Sequence, residues 1–281
     1  GGEPTMHPVF PQILAVLQQE GARACLISNL LYGSDVVRDS LRQAIADRVI
    51  DGCLSNAAEL DTEAKMQLYA YNYQDLQEAF ARYNPNQFVA AGITLSRHKT
   101  AAEETAYIER LAQNIEIRRL RLSLDFQAEN QVDKFFINNK EYGNKLQQII
   151  YKCLDLRVPF SWDCKIYPCL FSAKVFQKDV VGFTPQLRSI CAADSAPFDV
   201  FPDMSYAHCY PARTLSGQNI LKFKRLSEAR GEMAFLKNTL QTLHRAASPE
   251  ECRECHYYQT GVCDSLCLGC QELKVSFLQY V

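Results

Sequence analysis

The chain has 281 residues, 47% of them hydrophobic, with a formal charge of -2 and a pI near 6.3. That is enough apolar material for one barrel-sized α/β domain and a small appendage, and it argues against disorder. The lack of a basic excess argues against nucleic-acid or anionic-membrane partners, and no apolar run reaches the roughly 18 residues of a membrane span. With no signal peptide at its start, the sequence reads as cytoplasmic.

The first segment, Gly1-Gly2-Glu3-Pro4-Thr5-Met6-His7-Pro8, sets two glycines ahead of a carboxylate. Adjacent glycines let a ligand approach the backbone closely, and the glutamate with exposed main-chain groups suits an ammonium. Phe10, Ile13, Leu14 and Leu17 then recur at helical spacing. The unit repeats: Ala24 to Asn29 is a β-prone run ending in Ser28-Asn29, and Gly33-Ser34-Asp35 opens a helix carrying Val37, Leu41, Ala44 and Ile45. A strand over Ile50 to Ser55 follows, then a helix over residues 62 to 83 that breaks near Asn72. Next come a strand over Gln87 to Ser96, a capping box at Thr100 and Glu103 opening a helix to Asn114, and a strand over Glu116 to Asp125.

Strands and helices alternating at these lengths predict a parallel sheet wound as a partial barrel. In the last strand Leu120, Leu122 and Leu124 share one face, and Arg119, Arg121, Ser123 and Asp125 share the other. In the strand before it, Val89, Ala91, Ile93 and Leu95 oppose Ala90, Gly92, Thr94 and Ser96. The aliphatic rows suit a helix-covered face, leaving the polar rows for a ligand-binding lumen; an edge strand with its arginine row in water is the alternative. From Phe126 to Tyr142 a polar loop with Phe135 and Phe136 reads as a lid over the barrel mouth, where barrel enzymes carry their chemistry. An amphipathic helix over residues 141 to 156 leads out of the barrel.

Twelve cysteines is a heavy load for a reducing compartment, and nine lie between residues 164 and 270: Cys164, Cys169, Cys191, Cys209, Cys252, Cys255, Cys263, Cys267 and Cys270. The tail from Cys252 to Cys270 holds five in the order CxxC, CxxxC and a last cysteine, and short CxxC turns converge thiolates on one point. Nine thiolates suffice for two 4Fe-4S clusters, whereas a zinc site closed by CxxC and CxxxC would leave the rest as buried hydrophobes. Residues 197 to 203 read as a hairpin strand, and a helix over residues 226 to 243 leads to the tail. Of five scattered histidines only His256, beside Cys255, is a candidate ligand. No GxSxG, P-loop or GxGxxG is present.

Two separated features resemble one family. The first eight residues resemble the GGEP(T)xHP segment at the end of the second barrel strand of radical S-adenosylmethionine (radical SAM) enzymes, and the cysteine-rich tail resembles their SPASM or twitch extension. Cys191 and Cys209 resemble the upstream cysteine pair, Cys252 and Cys255 the CxxC, Cys263 and Cys267 the CxxxC, and Cys270 the last. Met204 stands where that pattern has a glycine, the gap from Cys255 to Cys263 is long, and Cys270 follows Cys267 closely. The family's CxxxCxxC, which binds the SAM-cleaving cluster and lies upstream of the GGEP segment, has no counterpart between Gly1 and Cys252, so the resemblance implies a chain lacking its first strand and helix and inactive alone.

The resemblance implies a partial (β/α)6 TIM-like barrel without its first βα unit over residues 1–140, a linker helix over 141–160, and an auxiliary iron–sulfur domain over 161–281. It implies S-adenosylmethionine as cofactor, held through its amino group by Gly1, Gly2, Glu3 and Pro4. Ser28, Asn29, Thr94 and Ser96 are candidates for its ribose and carboxylate, and Arg121 for the carboxylate. One or two auxiliary 4Fe-4S clusters follow: Cys191 and Cys209 with Cys164 or Cys169 and one tail cysteine would hold the first, and Cys252, Cys255 and Cys263 with another tail cysteine the second. The implied reaction is reductive SAM cleavage to a 5′-deoxyadenosyl radical that takes hydrogen from a peptide, protein or small molecule, with a flavodoxin or ferredoxin as reductase. The rivals are a noncatalytic iron–sulfur electron-transfer module and a zinc-stabilised scaffold.

Overall fold

The computed structural model describes residues 2–58, 60–125, 134–162, 166–171, 199–201, 203–207, 219–225, 227–229, 231–232, 234, 248–263 and 265. The chain forms two compact units, residues 2–124 with 148–163, and residues 125–147 with 164–281, so the helix α5 (Lys140–Asp155) is divided between them.

The first unit is an α/β sheet. Its strands are β1 (Ala24–Ser28), β2 (Ile50–Asn56), β3 (Val89–Leu95), β4 (Leu120–Leu124) and β5 (Phe160–Trp162). Helices α1 (Phe10–Gln19), α2 (Asp35–Ala46), α3 (Glu63–Tyr83) and α4 (Ala101–Asn114) alternate with them. All five strands are parallel and lie in the order β1-β2-β3-β4-β5. Strand order that follows chain order has no reversal point, which is how a barrel wall is wound and a doubly wound sheet is not.

Side-chain alternation decides the two faces. Leu120, Leu122 and Leu124 are buried, as are Val89, Ala91, Ile93 and Leu95, while Arg121 and Ser123 are half-buried and Thr94 is exposed. Each fully buried leucine contributes roughly 1.5–3 kcal/mol, so the aliphatic rows hold the sheet to its helices. The Thr100–Glu103 capping box forms as the sequence predicts and starts α4.

Two features depart from the sequence reading. The helix over residues 62 to 83 is unbroken: Asn72 is fully buried, and its amide donates to the carbonyls of Leu30 and Tyr32, both at 2.8 Å. Its Nδ2 group finds both acceptors without leaving the helix, so the polar residue does not end it. The sheet also gains β5 after α5. Three residues are too few for alternation to show.

In the second unit Phe136 is buried, stacks on Tyr167 and meets Tyr142 edge to face. Strands β6 (Asp199–Val200) and β7 (Tyr206–Ala207) form an antiparallel hairpin, in keeping with the strand read at 197–203. Two short helices follow, α6 (Glu250–Arg253) and α7 (His256–Gln259). Most of the helix read over 226–243, and the loop from 126 to 133, fall outside the described residues. No helix among the described residues is long and apolar enough to cross a membrane.

Candidate functional site

Glu3 caps a 3-10 turn over Pro4–Met6, and its carboxylate is a hub. One oxygen accepts from Thr5 N at 3.1 Å, Thr5 Oγ1 at 2.6 Å and Ser28 Oγ at 2.7 Å; the other accepts from Asn29 N at 2.6 Å. The Glu3 segment is thereby fastened to the carboxyl end of β1. Ser28 is buried and relays the contact, its oxygen accepting from Leu30 N at 3.0 Å. Pro4, the first residue of the turn, suits that position because its fixed φ is already helical. Gly2 is exposed, and a Cβ there would meet open space; Gly1 lies outside the described residues.

Register carries the same level across the sheet. Ser28 pairs with Ser55, Asn56 with Gly92, Gly92 with Arg121, and Arg121 with Ser161. One row on the open face thus runs Asn56, Gly92, Arg121, Ser161, with Thr94 and Ser123 paired two residues further on. Gly92 keeps the middle of the row low: a Cβ there would come within 3.1 Å of Leu54 Cδ1 and 3.3 Å of the Ser55 carbonyl. Arg121 supplies positive charge to this face. It pulls the Cys25 thiol down, but burial of the sulfur acts more strongly and leaves that thiol above its ordinary value. Ser96 closes the far end of β3, its N–H donating to buried Glu104 at 2.9 Å and its hydroxyl accepting from His98 N at 3.1 Å.

The sequence reading picked Arg121, Thr94 and the Ser28-Asn29 end but missed Asn56 and Ser161. A signal existed for Asn56. Ser55-Asn56 repeats Ser28-Asn29 at the end of the next strand, in matching register, and both asparagines accept from the N–H two residues on, at 2.9 and 3.0 Å. Ser161 needed β5 to be recognised first.

The second site lies wholly in the other unit. Cys169, Cys252, Cys255 and Cys263 line one small cavity, closed by Ile137 and Tyr167 among others. Cys252 sits in α6 and Cys255 caps α7, the CxxC turn being closed by Cys255 N on Cys252 O at 3.0 Å. Cys263 is drawn back by its N–H on Tyr257 O at 2.9 Å, after Gly261 takes a left-handed φ of 70° to end α7. Cys169 comes from a 3-10 turn, Pro168–Leu170, that rests on α5. There Gly143 admits the Leu170 carbonyl where a Cβ would stand 1.8 Å from it, and Lys140 Nζ donates to the carbonyls of Cys169 at 2.6 Å and Phe171 at 3.0 Å. The Cys169 thiol is pushed up by burial first, and by the charge of Cys263, Cys255 and Cys252.

The sequence grouping kept Cys252, Cys255 and Cys263 together; the structure adds Cys169 to them. Cys164, Cys191, Cys209, Cys267 and Cys270 lie outside the described residues. His256 is exposed and does not line the cavity. No three His, Cys, Asp or Glu among the described residues stand close enough for a single metal ion. Four sulfurs around one cavity suit a larger, polynuclear group, whose iron atoms spread the ligands apart. Larger grooves of about 570 and 540 Å³, between α3 and α4 and between α2 and α3, hold none of these residues.

An all-parallel sheet in chain order, helix-covered on one face and carrying a polar row on the other, with its candidate ligand groups at the carboxyl ends of the strands, defines a TIM-like partial barrel. The solved structures similar to this fold include Streptococcus suis SuiB, with a TM-score of 0.59 at 10% identity over 95% of this chain and 61% of that one. SuiB bound to S-adenosylmethionine gives 0.56 at 12% identity over 95% and 60% of the two chains. SuiB bound to the precursor peptide SuiA gives 0.50 at 13% over 83% and 54%. The chain thus spans about three fifths of SuiB's length at most. No protein-family model matches the sequence, and no curated protein does.

Proposed function

We propose that this chain is the S-adenosylmethionine-binding wall and auxiliary-cluster region of a radical SAM enzyme with a SPASM or twitch extension, acting on a peptide. The observation that carries the reading is the Glu3 hub. A GGEP carboxylate fixed to a strand end, in a fold shared with a protein solved bound to S-adenosylmethionine, is a ready acceptor for that molecule's ammonium. In this reading Gly1, Gly2 and Pro4 shape the approach to Glu3, and Ser28 and Asn29 hold it in place. Arg121 pairs with the ligand carboxylate, Thr94 and Ser96 reach the ribose, and Asn56 and Ser161 extend the same polar row. The low profile of Gly92 leaves the open face room for a ligand.

When bound, a SAM-cleaving 4Fe-4S cluster supplies the electron that splits S-adenosylmethionine into methionine and a 5′-deoxyadenosyl radical, which takes a hydrogen atom from the substrate. No CxxxCxxC lies between Gly1 and Cys252, and the one spelled by Cys263, Cys267 and Cys270 belongs to the cysteine-rich tail, so this polypeptide alone binds S-adenosylmethionine without cleaving it. Cys169, Cys252, Cys255 and Cys263 hold an auxiliary cluster, and four of Cys164, Cys191, Cys209, Cys267 and Cys270 are the ligands for a second. A peptide is the favoured substrate because SuiB was solved with its precursor peptide SuiA. A cytoplasmic flavodoxin or ferredoxin would be the electron donor.

Binding and iron content test this separately. After anaerobic reconstitution the protein is expected to be brown, with iron and sulfide in equal amounts; a colourless protein with stoichiometric zinc would sink the cluster assignment. Calorimetric titration with S-adenosylmethionine should show binding that Glu3→Ala weakens at least tenfold. Iron without any such binding would favour the noncatalytic electron-transfer module.

A further inference from the structure

Ser265 lines the same cavity as the four cysteines, and two features set it apart. It is 1% exposed, yet its hydroxyl has no hydrogen-bond partner among the described residues. Its backbone also lies at φ 77°, in the left-handed region that glycine occupies freely and a side chain disfavours. A buried hydroxyl without a partner and a strained backbone are both unfavourable, and glycine would remove both. A partner inside the cavity resolves the first. Ile137, Tyr167 and Pro168 bring apolar surface to the wall, whereas the cysteines bring sulfur.

We propose that Ser265 Oγ–H donates a hydrogen bond to a sulfur of the iron–sulfur group held by Cys169, Cys252, Cys255 and Cys263, and so raises its reduction potential. The proposal rests on the cluster assignment above. The physical reason is charge: reduction adds negative charge to the sulfurs, so a donor aimed at them stabilises the reduced state more than the oxidised one. Ser265 is therefore a positioning and tuning residue rather than a ligand.

The test compares wild type, Ser265→Gly and Ser265→Thr as full chains, reconstituted anaerobically, by iron and sulfide content, redox titration followed by electron paramagnetic resonance, and thermal melting. Ser265→Gly removes the hydroxyl and the backbone strain together. It should keep the wild-type iron content, melt no lower than wild type, and show a more negative midpoint potential. Ser265→Thr keeps the hydroxyl at the cost of more strain, so it should melt lower and hold the wild-type potential. Equal potentials in wild type and Ser265→Gly would overturn the proposal, as would loss of iron in Ser265→Gly, which would make Ser265 a ligand. A wild-type chain that takes up no iron would defeat the cluster assignment itself, a result distinct from either.

Discussion

Met204 occupies a backbone conformation that its side chain disfavours. Its φ is 63°, at the turn between β6 and β7, where its N–H closes on the Phe201 carbonyl at 2.8 Å. The pattern that the tail resembles has a glycine at that place, and the Met204 backbone has a φ that glycine adopts freely. A left-handed non-glycine residue costs about 1–2 kcal/mol, offset in part by the greater freedom glycine has when unfolded. Met204→Gly should therefore raise stability by about 0.5–1 kcal/mol, read as a higher denaturation midpoint at unchanged slope; a lower midpoint would show that the methionine side chain outweighs the strain. Glu3 shows how far single residues were legible. The motif identifies the carboxylate and its glycines, but its partners Ser28 and Asn29 lie 25 and 26 residues away, and only the fold puts them against it.

Among the elements, β3 and β4 were readable because seven and five residues of alternation separate an aliphatic row from a polar one. The unbroken α3 and the three-residue β5 were not, because a buried amide looks like a breaker and a short strand has no period. The grouping of Cys169 with the tail was hidden for another reason: it depends on how the Pro168–Leu170 turn packs on α5. Gly143 is the close-approach point of that packing. Gly143→Ala would gain roughly 1 kcal/mol of helix propensity, but its Cβ would fall 1.8 Å from a backbone oxygen that no side-chain rotation can move away. The net expectation is destabilisation by about 1–3 kcal/mol with reduced iron uptake at the cavity. Normal stability and iron content in this variant would mean that the turn and its cysteine do not depend on α5.

For the whole molecule, the two units differ in what holds them. The sheet unit has a continuous apolar core formed by β1 to β4 and their helices. The other unit brings the turn at Cys169 together with the Cys252–Cys263 segment around a cavity lined by four cysteines, and the proposed cluster, once bound there, would contribute directly to folding. Iron chelation should thus speed backbone hydrogen exchange at residues 134–137, 166–171 and 248–263 by at least tenfold while leaving β1 to β4 protected. Equal loss of protection across both units would contradict this.

The bond from Asn29 N–H to the Glu3 carboxylate, at 2.6 Å, also makes the molecule its own indicator. An amide proton donated to an anion over so short a distance resonates far downfield, outside the crowded part of a nitrogen–proton correlation spectrum. An ammonium that comes to share that carboxylate draws electron density away from the bond and moves the signal back upfield. Any ammonium binding at the Glu3 carboxylate can therefore be followed at one resolved peak, with no label on the ligand and no turnover required.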